Sequence, residues 1–169
     1  HYEARMLATF VDEAEQVTPE QMERWCKDFD NWAICDTACF ALFDRTPHAF
    51  KKIPTWAKSK EEFVKRAAFA LLASLTVHAK AAKDVEFFRC LPLVEKAALD
   101  ERNFVKKSVN WALRSIGKRS TALNVAAIEV AERLAARAEA APRWVGKDAL
   151  RELRSASVQR RLSTRKKTD

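Results

Sequence analysis

The sequence predicts an all-α protein of HEAT-like repeats, in which antiparallel helix pairs stack into a right-handed α-solenoid. The 169 residues include only two glycines, and apolar side chains recur at three- and four-residue steps. One such stretch, residues 103–119, has a copy forty-one positions upstream that begins at Phe63. A period near forty residues in a helical pattern is typical of HEAT-like repeats.

The two copies of this repeat helix differ at two informative positions. Phe, Val, Lys, a second cation and the last Leu recur in both copies. Trp111 stands where the first copy has Ala70, and Arg114 stands where it has Ala73. Such departures mark either a scaffold modified for a task or sequence drift, and two copies do not decide between them.

Capping residues and apolar spacing predict the helices of the first half of the chain. Thr18, Pro19 and Gln21 form a helix start with a capping box. Asp30 or Asn31 caps the helix that follows. The predicted helices are 2–15, 19–28, 32–43, a short helix from 46 that ends at Pro54, and 60–80 with Ser59 as its cap.

The second half continues the helical pattern and then loses it. Asp84 caps a helix that continues to residue 98 with an interruption at Pro92, and helices over 103–119, 121–140 and 142–154 follow. Beyond Ser155 the sequence is polar and cationic without a core pattern. We therefore predict one HEAT-like repeat domain over 1–154 and a flexible basic tail over 155–169.

Charge is the most informative bulk property. The formal net charge is +8, yet residues 1–50 hold four Lys and Arg against ten Asp and Glu, so the remaining residues carry +14. This asymmetry predicts a basic surface and makes nucleic acid the leading partner. No apolar run reaches membrane-spanning length and no leader pattern precedes the helices, so we expect a cytoplasmic protein. The start at His1 suggests a fragment that lacks earlier helices.

The cysteines and histidines do not predict a metal site. The four cysteines contain no CxxC pair, and Cys35 and Cys39 lie one turn apart on an apolar helical face. Small buried thiols are common on such faces. We expect structural cysteines, no disulfides, no metal and no cofactor.

Two helices carry side chains that a core does not require. Trp32 and Asp36 form an i, i+4 pair on one face of an apolar helix, so Asp36 is either hydrogen-bonded inside the protein or placed for chemistry. In the repeat helix, Trp111 and Arg114 share an edge, with two lysines upstream. An indole beside a guanidinium and ammonium groups suits an anionic, flat-faced ligand.

Four separated blocks resemble the AlkD-like DNA alkylation repair proteins, and the likeness extends over residues 2–153 in the family's order. The blocks are Asn-Trp-Ala-Ile-Cys-Asp at 31–36, Phe-Val-Lys-Arg-Ala-Ala at 63–68, Phe-Val-Lys-Lys-Ser-Val-Asn-Trp-Ala-Leu-Arg at 104–114 and Arg-Trp-Val-Gly-Lys-Asp-Ala-Leu at 143–150. The resemblance implies a monomeric HEAT-like solenoid that binds duplex DNA on a basic concave surface. It also implies a monofunctional glycosylase that releases cationic N3- and N7-alkylated purines without extruding the base into a deep pocket.

The resemblance further implies a role for each matching residue. Asp36 becomes the catalytic carboxylate, and Trp32 and Trp111 become the indoles that face the damaged nucleotide. The implied DNA contacts are Arg66, Arg114, Lys107, Arg143 and Lys147. The partner is duplex DNA carrying alkylated bases.

Two other classes of function stay open at this stage. One is a non-catalytic relative that binds structured or damaged DNA, and the other is a HEAT-repeat scaffold that binds a peptide. The pairing of Trp32 with Asp36 favours the enzyme over the first class. The positive balance beyond residue 50 favours DNA over the second.

Overall fold

The described residues, 1–165 of a computed structural model, are helical, with eleven α-helices and one 3-10 turn. They form two compact units, His1–Lys80 and the residues from Ala81 onward. The helices are α1 Tyr2–Val11, α2 Pro19–Lys27, α3 Trp32–Ala41, α4 Ala49–Trp56, α5 Glu62–His78, α6 Asp84–Phe88, α7 Leu91–Ala97, α8 Asn103–Gly117, α9 Thr121–Ala135, α10 Ala140–Leu153 and α11 Ala156–Arg165, and the 3-10 turn is Phe43–Arg45.

In the first unit, α5 is the central helix and packs against α2, α3 and α4. Its residues are buried without interruption from Arg66 to Thr76, so it has little solvent-facing surface. The helix that carries Asp36 starts where the Asn31 side chain accepts a hydrogen bond from the Ile34 amide, which decides between the two predicted caps. The core of this unit therefore fixes α3 against α5.

In the second unit, α8, α9 and α10 pack against one another. The backbones of α9 and α10 lie close together at Gly146. A Cβ added there would lie 2.3 Å from the Ala135 amide nitrogen and 2.4 Å from the Ala131 carbonyl oxygen. Only glycine allows α10 to lie this close to α9. α11 then covers the end of the unit and buries Val158 and Leu162.

Several predicted boundaries were wrong for identifiable reasons. The tail prediction fails over Ala156–Arg165 because Val158 and Leu162, four residues apart, suffice to bury one face of a helix; residues 166–169 lie outside the described part. Pro54 does not end α4, which continues to Trp56, because proline only removes one hydrogen bond near the end of an eight-residue helix. The described residues divide into two compact units, and the single HEAT-like repeat domain over 1–154 stays a prediction.

The predicted caps were right at Thr18 and Asn31 and wrong at the other two helices. The Thr18 hydroxyl accepts from the Gln21 amide, but the Gln21 side chain donates to Asp12 instead of completing a capping box. Lys83 and Glu61, rather than Asp84 and Ser59, are the N-cap residues of α6 and α5. Two helices end earlier than predicted, α1 at Val11 and α9 at Ala135. Pro92 lies in the first turn of a separate helix, α7.

Among the helices described, none combines the length and the apolar character needed to cross a membrane.

Candidate functional site

Asp36 is held by a two-point ion pair with Arg66 across the contact between α3 and α5. Arg66 donates from Nε to Oδ1 at 2.8 Å and from Nη2 to Oδ2 at 2.6 Å. The Asp36 side chain is 18% exposed and that of Arg66 is 8% exposed. A parallel fork of this kind fixes the plane of the carboxylate, and it leaves the second lone pair of each oxygen free of this contact.

The surroundings of Asp36 act on its protonation in opposite directions. Burial raises the pKa of the carboxyl above its ordinary value of 3.8, and the Arg66 guanidinium opposes this through hydrogen bonds and charge. Burial is the larger influence, so the pKa is raised overall. The geometry of the fork is nevertheless that of an ionised carboxylate, which two cationic N–H donors stabilise.

Trp32 begins the helix that carries Asp36 and lies one turn before it. Trp32 is 53% exposed, so it is not a core side chain. On the side of α3 that packs on α5, the thiols of Cys35 and Cys39 donate to the carbonyl oxygens of Phe63 and Ala67. Trp32 therefore presents its indole to solvent from the first turn of a helix that packs on α5.

The placement of Arg66 revises its predicted role. Its guanidinium was expected to contact the DNA backbone, but it lies buried between α5 and α3 with two of its nitrogens on Asp36. A phosphate would have to compete with a carboxylate already held at 2.6 Å. Sequence reasoning could not find this pair, because the two residues lie thirty positions apart and on different helices.

In the second unit, polar side chains of α8 meet those of α10 along one line. The positions on α8 are Lys106, Asn110 and Arg114, followed by its C-cap residue Lys118, and the positions on α10 are Trp144, Asp148 and Glu152. We call these residues the α8–α10 ladder. Each set recurs every four residues, so each lies on one helix face.

The hydrogen bonds of the α8–α10 ladder are short. Asn110 donates to Asp148 at 2.7 Å, Arg114 donates to Glu152 at 2.6 Å, and Lys118 reaches the other oxygen of Glu152 at 2.5 Å. The Lys106 Nζ lies 5.1 Å from the centroid of the Trp144 ring. Arg114, predicted to contact DNA, is thus paired within the protein and 30% exposed.

The remaining predicted residues lie on the surface of the second unit. Lys107, Arg143 and Lys147 are exposed, and Trp111 is half-buried on α8. The Arg143 guanidinium also donates to the carbonyl oxygen of Ala138 at 2.9 Å. Lys107, Arg143 and Lys147 are therefore the exposed members of the predicted set of DNA-binding cations.

Two features were missed by sequence reasoning. Trp144 is 41% exposed and carries Lys106 over its ring. A buried Asp44 accepts from Ser74 and contacts Nδ1 of His78, which ties the 3-10 turn to the end of α5. The four-residue spacing of Asp148 and Glu152 on α10 could have predicted a contact with the polar face of α8. The contact between Asp44 and His78 could not be predicted, because the two residues lie 34 positions apart.

Among residues 1–165, no group of three or more His, Cys, Asp or Glu side chains is arranged to hold a metal ion. All four cysteines are buried and unpaired with one another. Burial also raises the pKa of the Cys90 thiol to about 11. These thiols therefore pack as apolar groups in the core, as the sequence predicted.

Comparison with known proteins agrees with the architecture. The structure is similar to a protein described as belonging to a new family related to the HEAT-like repeat DNA glycosylases, with affinity for branched DNA structures. The two share 16% sequence identity with a TM-score of 0.69, over 90% of this chain and 71% of that one, which shows a common HEAT-like fold. No curated protein matches the sequence. The DNA alkylation repair enzyme family matches residues 1–153, and the chain belongs to that family.

Proposed function

We propose that the protein is a DNA glycosylase that hydrolyses the N-glycosidic bond of cationic N3- and N7-alkylated purines in duplex DNA. The observation that carries this proposal is the Asp36 carboxylate, partly exposed and fixed in plane by Arg66, one turn from the exposed indole of Trp32. Family membership supports a role in DNA repair. A fixed carboxylate beside an electron-rich ring is what this reaction requires of a protein.

The chemistry needs little more than a negative charge at one point. An alkylated purine already carries a positive charge and leaves readily, so the barrier depends on the oxocarbenium character that develops on the sugar. An ionised Asp36 next to the anomeric carbon would stabilise that charge and orient the attacking water. Because Arg66 occupies one lone pair on each oxygen, the others can face the sugar and the water.

Trp32 has a complementary role in this proposal. The face of an indole carries negative electrostatic potential and attracts a cationic base or sugar. At 53% exposure the Trp32 ring can contact a nucleotide without leaving a core position. Trp111, half-buried on α8, supplies a second indole to the bound DNA in the same proposal.

The charge distribution supports a duplex partner. The first unit holds eleven Lys and Arg against twelve Asp and Glu, whereas the residues from Ala81 onward hold twenty against eleven. Exposed Lys107, Arg143 and Lys147 belong to this cationic part, and Arg114 could reach a phosphate only by leaving Glu152. We therefore assign DNA backbone binding chiefly to the second unit and the chemistry to the first.

A non-catalytic DNA-binding function is the second candidate. The structurally similar protein is described by its affinity for branched DNA. Both oxygens of Asp36 are already hydrogen-bonded, as in a structural ion pair. The two candidates differ in one respect, namely whether an ionised carboxylate at position 36 is needed to release a base.

The test is base release from methylated duplex DNA by wild-type protein and by Asp36→Asn. Asparagine keeps the size of the side chain and removes the charge, so we expect release of 7-methylguanine to fall by roughly 10²- to 10³-fold. DNA affinity, measured by fluorescence anisotropy, should stay within about twofold, because the charge that binds phosphate lies elsewhere.

The matched control is Asp30→Asn in the same unit. Asp30 is an exposed carboxylate that pairs with Arg5 on α1. This variant should release base at the wild-type rate. Release that is equal in Asp36→Asn and wild type would remove Asp36 from the mechanism, and an inactive wild type that still binds DNA would favour the non-catalytic candidate.

A further inference from the structure

We propose that Trp144, with Lys106 over its ring, is a stacking site for an unpaired nucleobase in DNA. This inference rests on the proposed DNA binding, but it concerns a different residue and a different feature of the DNA from the glycosylase reaction. It assigns to the second unit a preference for DNA that contains single-stranded nucleotides.

The exposure of Trp144 is the first observation. α10 packs through Ala141, Val145, Gly146 and Ala149, all of which are buried. Trp144 lies beside this face, and 41% of its surface remains accessible. A tryptophan placed only to pack the helix would be covered by neighbours, and burying its large apolar surface would stabilise the fold.

The position of Lys106 is the second observation. Its ammonium lies 5.1 Å from the ring centroid, within cation–π distance. This contact restrains the indole and places a positive charge beside the aromatic face. An ammonium has three N–H donors and can bind a phosphate oxygen while it remains over the ring.

The neighbouring charges favour a nucleotide over other flat ligands. Lys147 is exposed one turn after Trp144, and Arg143 is exposed immediately before it. Proteins bind single-stranded nucleic acid with this combination, in which cations follow the phosphates and an aromatic ring stacks on a base. An acidic peptide would use the cations but would not require the indole.

The inference is tested by anisotropy with three labelled DNAs. They are a blunt duplex, the same duplex with a short single-stranded thymine extension, and the same duplex with an abasic extension of equal length. The abasic extension has the phosphates of the thymine extension but no bases. We expect wild-type protein to bind the thymine extension more tightly than the abasic one.

Replacing Trp144 should remove that difference selectively. Stacking on one aromatic side chain is worth a factor of roughly 5 to 150 in affinity, so Trp144→Ala should lose about that factor on the thymine extension. Its affinity for the blunt and abasic DNAs should change by less than about twofold. Trp144→Phe should retain part of the preference, because phenylalanine also stacks.

The control variant is Val125→Ala, which shortens another exposed apolar side chain of the same unit. It should bind all three DNAs as the wild type does, and thermal unfolding of each variant verifies that it is folded. Equal wild-type affinity for the thymine and abasic extensions would overturn the inference, as would a uniform loss in Trp144→Ala. If an acidic peptide displaces the thymine-extension DNA equally well from wild type and from Trp144→Ala, the site binds anions without stacking, and the inference is wrong.

The base-release assay separates this inference from the proposed function. Trp144→Ala should release 7-methylguanine from methylated duplex at the wild-type rate. If it does so but keeps its preference for the thymine extension, the stacking site fails while the glycosylase stands. If wild type releases no base but prefers the thymine extension, and Trp144→Ala lacks that preference, the glycosylase proposal fails while the stacking site stands.

Discussion

The repeat helix occurs in both compact units, and the cation at its aligned position is buried in one unit and exposed in the other. Arg66 on α5 and Lys107 on α8 occupy equivalent places in the sequence repeat. Arg66 is buried and commits two nitrogens to Asp36, whereas Lys107 is exposed. The first unit uses its cation to fix one carboxylate, and the second presents its cation to solvent.

The packing around each helix explains this difference. α5 has neighbours on three sides, so a polar side chain on it needs a partner inside the protein. α8 has the exposed Lys107 on one side, and its polar contacts to α10 form the α8–α10 ladder, which is buried at Asn110 and partly exposed at Arg114. The position of α10 depends instead on the close backbone contact at Gly146. An ion pair therefore supports the first unit, and a glycine contact supports the second.

Arg66→Ala should give the largest loss of stability. Removing the guanidinium leaves the mostly buried Asp36 carboxylate without its partner, which we expect to lower the free energy of unfolding by about 3 kcal/mol. Urea unfolding monitored by circular dichroism measures the change. Base release should fall as well, because the carboxylate loses its fixed orientation.

Lys107→Ala is the control at the equivalent repeat position. Lys107 is exposed, so its removal should change the free energy of unfolding by less than about 0.5 kcal/mol. A loss as large as that of Arg66→Ala would show that the two cations are structurally equivalent and would remove the contrast between the units.

Gly146→Ala should give the next largest effect. The added methyl group would meet backbone atoms of α9 at 2.3 and 2.4 Å, and backbone cannot move aside as a side chain can. We expect a loss of about 2 kcal/mol in urea unfolding, accompanied by weaker contact along the α8–α10 ladder.

Gly117→Ala is the matched substitution within the same unit. There the added methyl group would meet Leu153 side-chain carbons at 2.6 and 2.9 Å, which can rotate away, and the Ala127 Cβ at 3.0 Å, which needs a shift of only a few tenths of an ångström. Alanine also favours helix by about 1 kcal/mol over glycine. The net change should therefore be close to zero, and a loss equal to that of Gly146→Ala would contradict the role assigned to the backbone contact.

The sequence was most informative where a local pattern determines structure. Apolar spacing predicted a helix over 103–119, and the observed α8 is Asn103–Gly117. The sequence also predicted that Trp32 and Asp36 are neighbours, because they lie four residues apart on one helix. The partner of Asp36 was not readable, since Arg66 meets it only through tertiary packing of α3 on α5. Burial of one face of α11 was missed because two apolar residues in a cationic stretch gave too weak a pattern.

The smallest expected effect is a difference in the sign of pH dependence between the units. Burial raises the pKa of Asp36. Burial also acts to raise that of Glu152, but the hydrogen bond from Lys118 and the charge of Arg114 lower it overall. The folded protein therefore binds the Asp36 proton more tightly than the unfolded chain does, and it binds the Glu152 proton less tightly.

These shifts determine how two variants respond to acid. The Asp36 contribution to stability is fully present below its ordinary pKa of 3.8 and is lost as the pH rises through the folded pKa. The Glu152 contribution is present above 4.5 and is lost as the pH falls through the folded pKa. In urea unfolding between about pH 3 and 7, the stability advantage of wild type over Asp36→Asn should grow toward acid, and that over Glu152→Gln should shrink. Slopes of the same sign would mean that Arg66 outweighs burial in setting the pKa of Asp36, and the proposed difference between the units would be wrong.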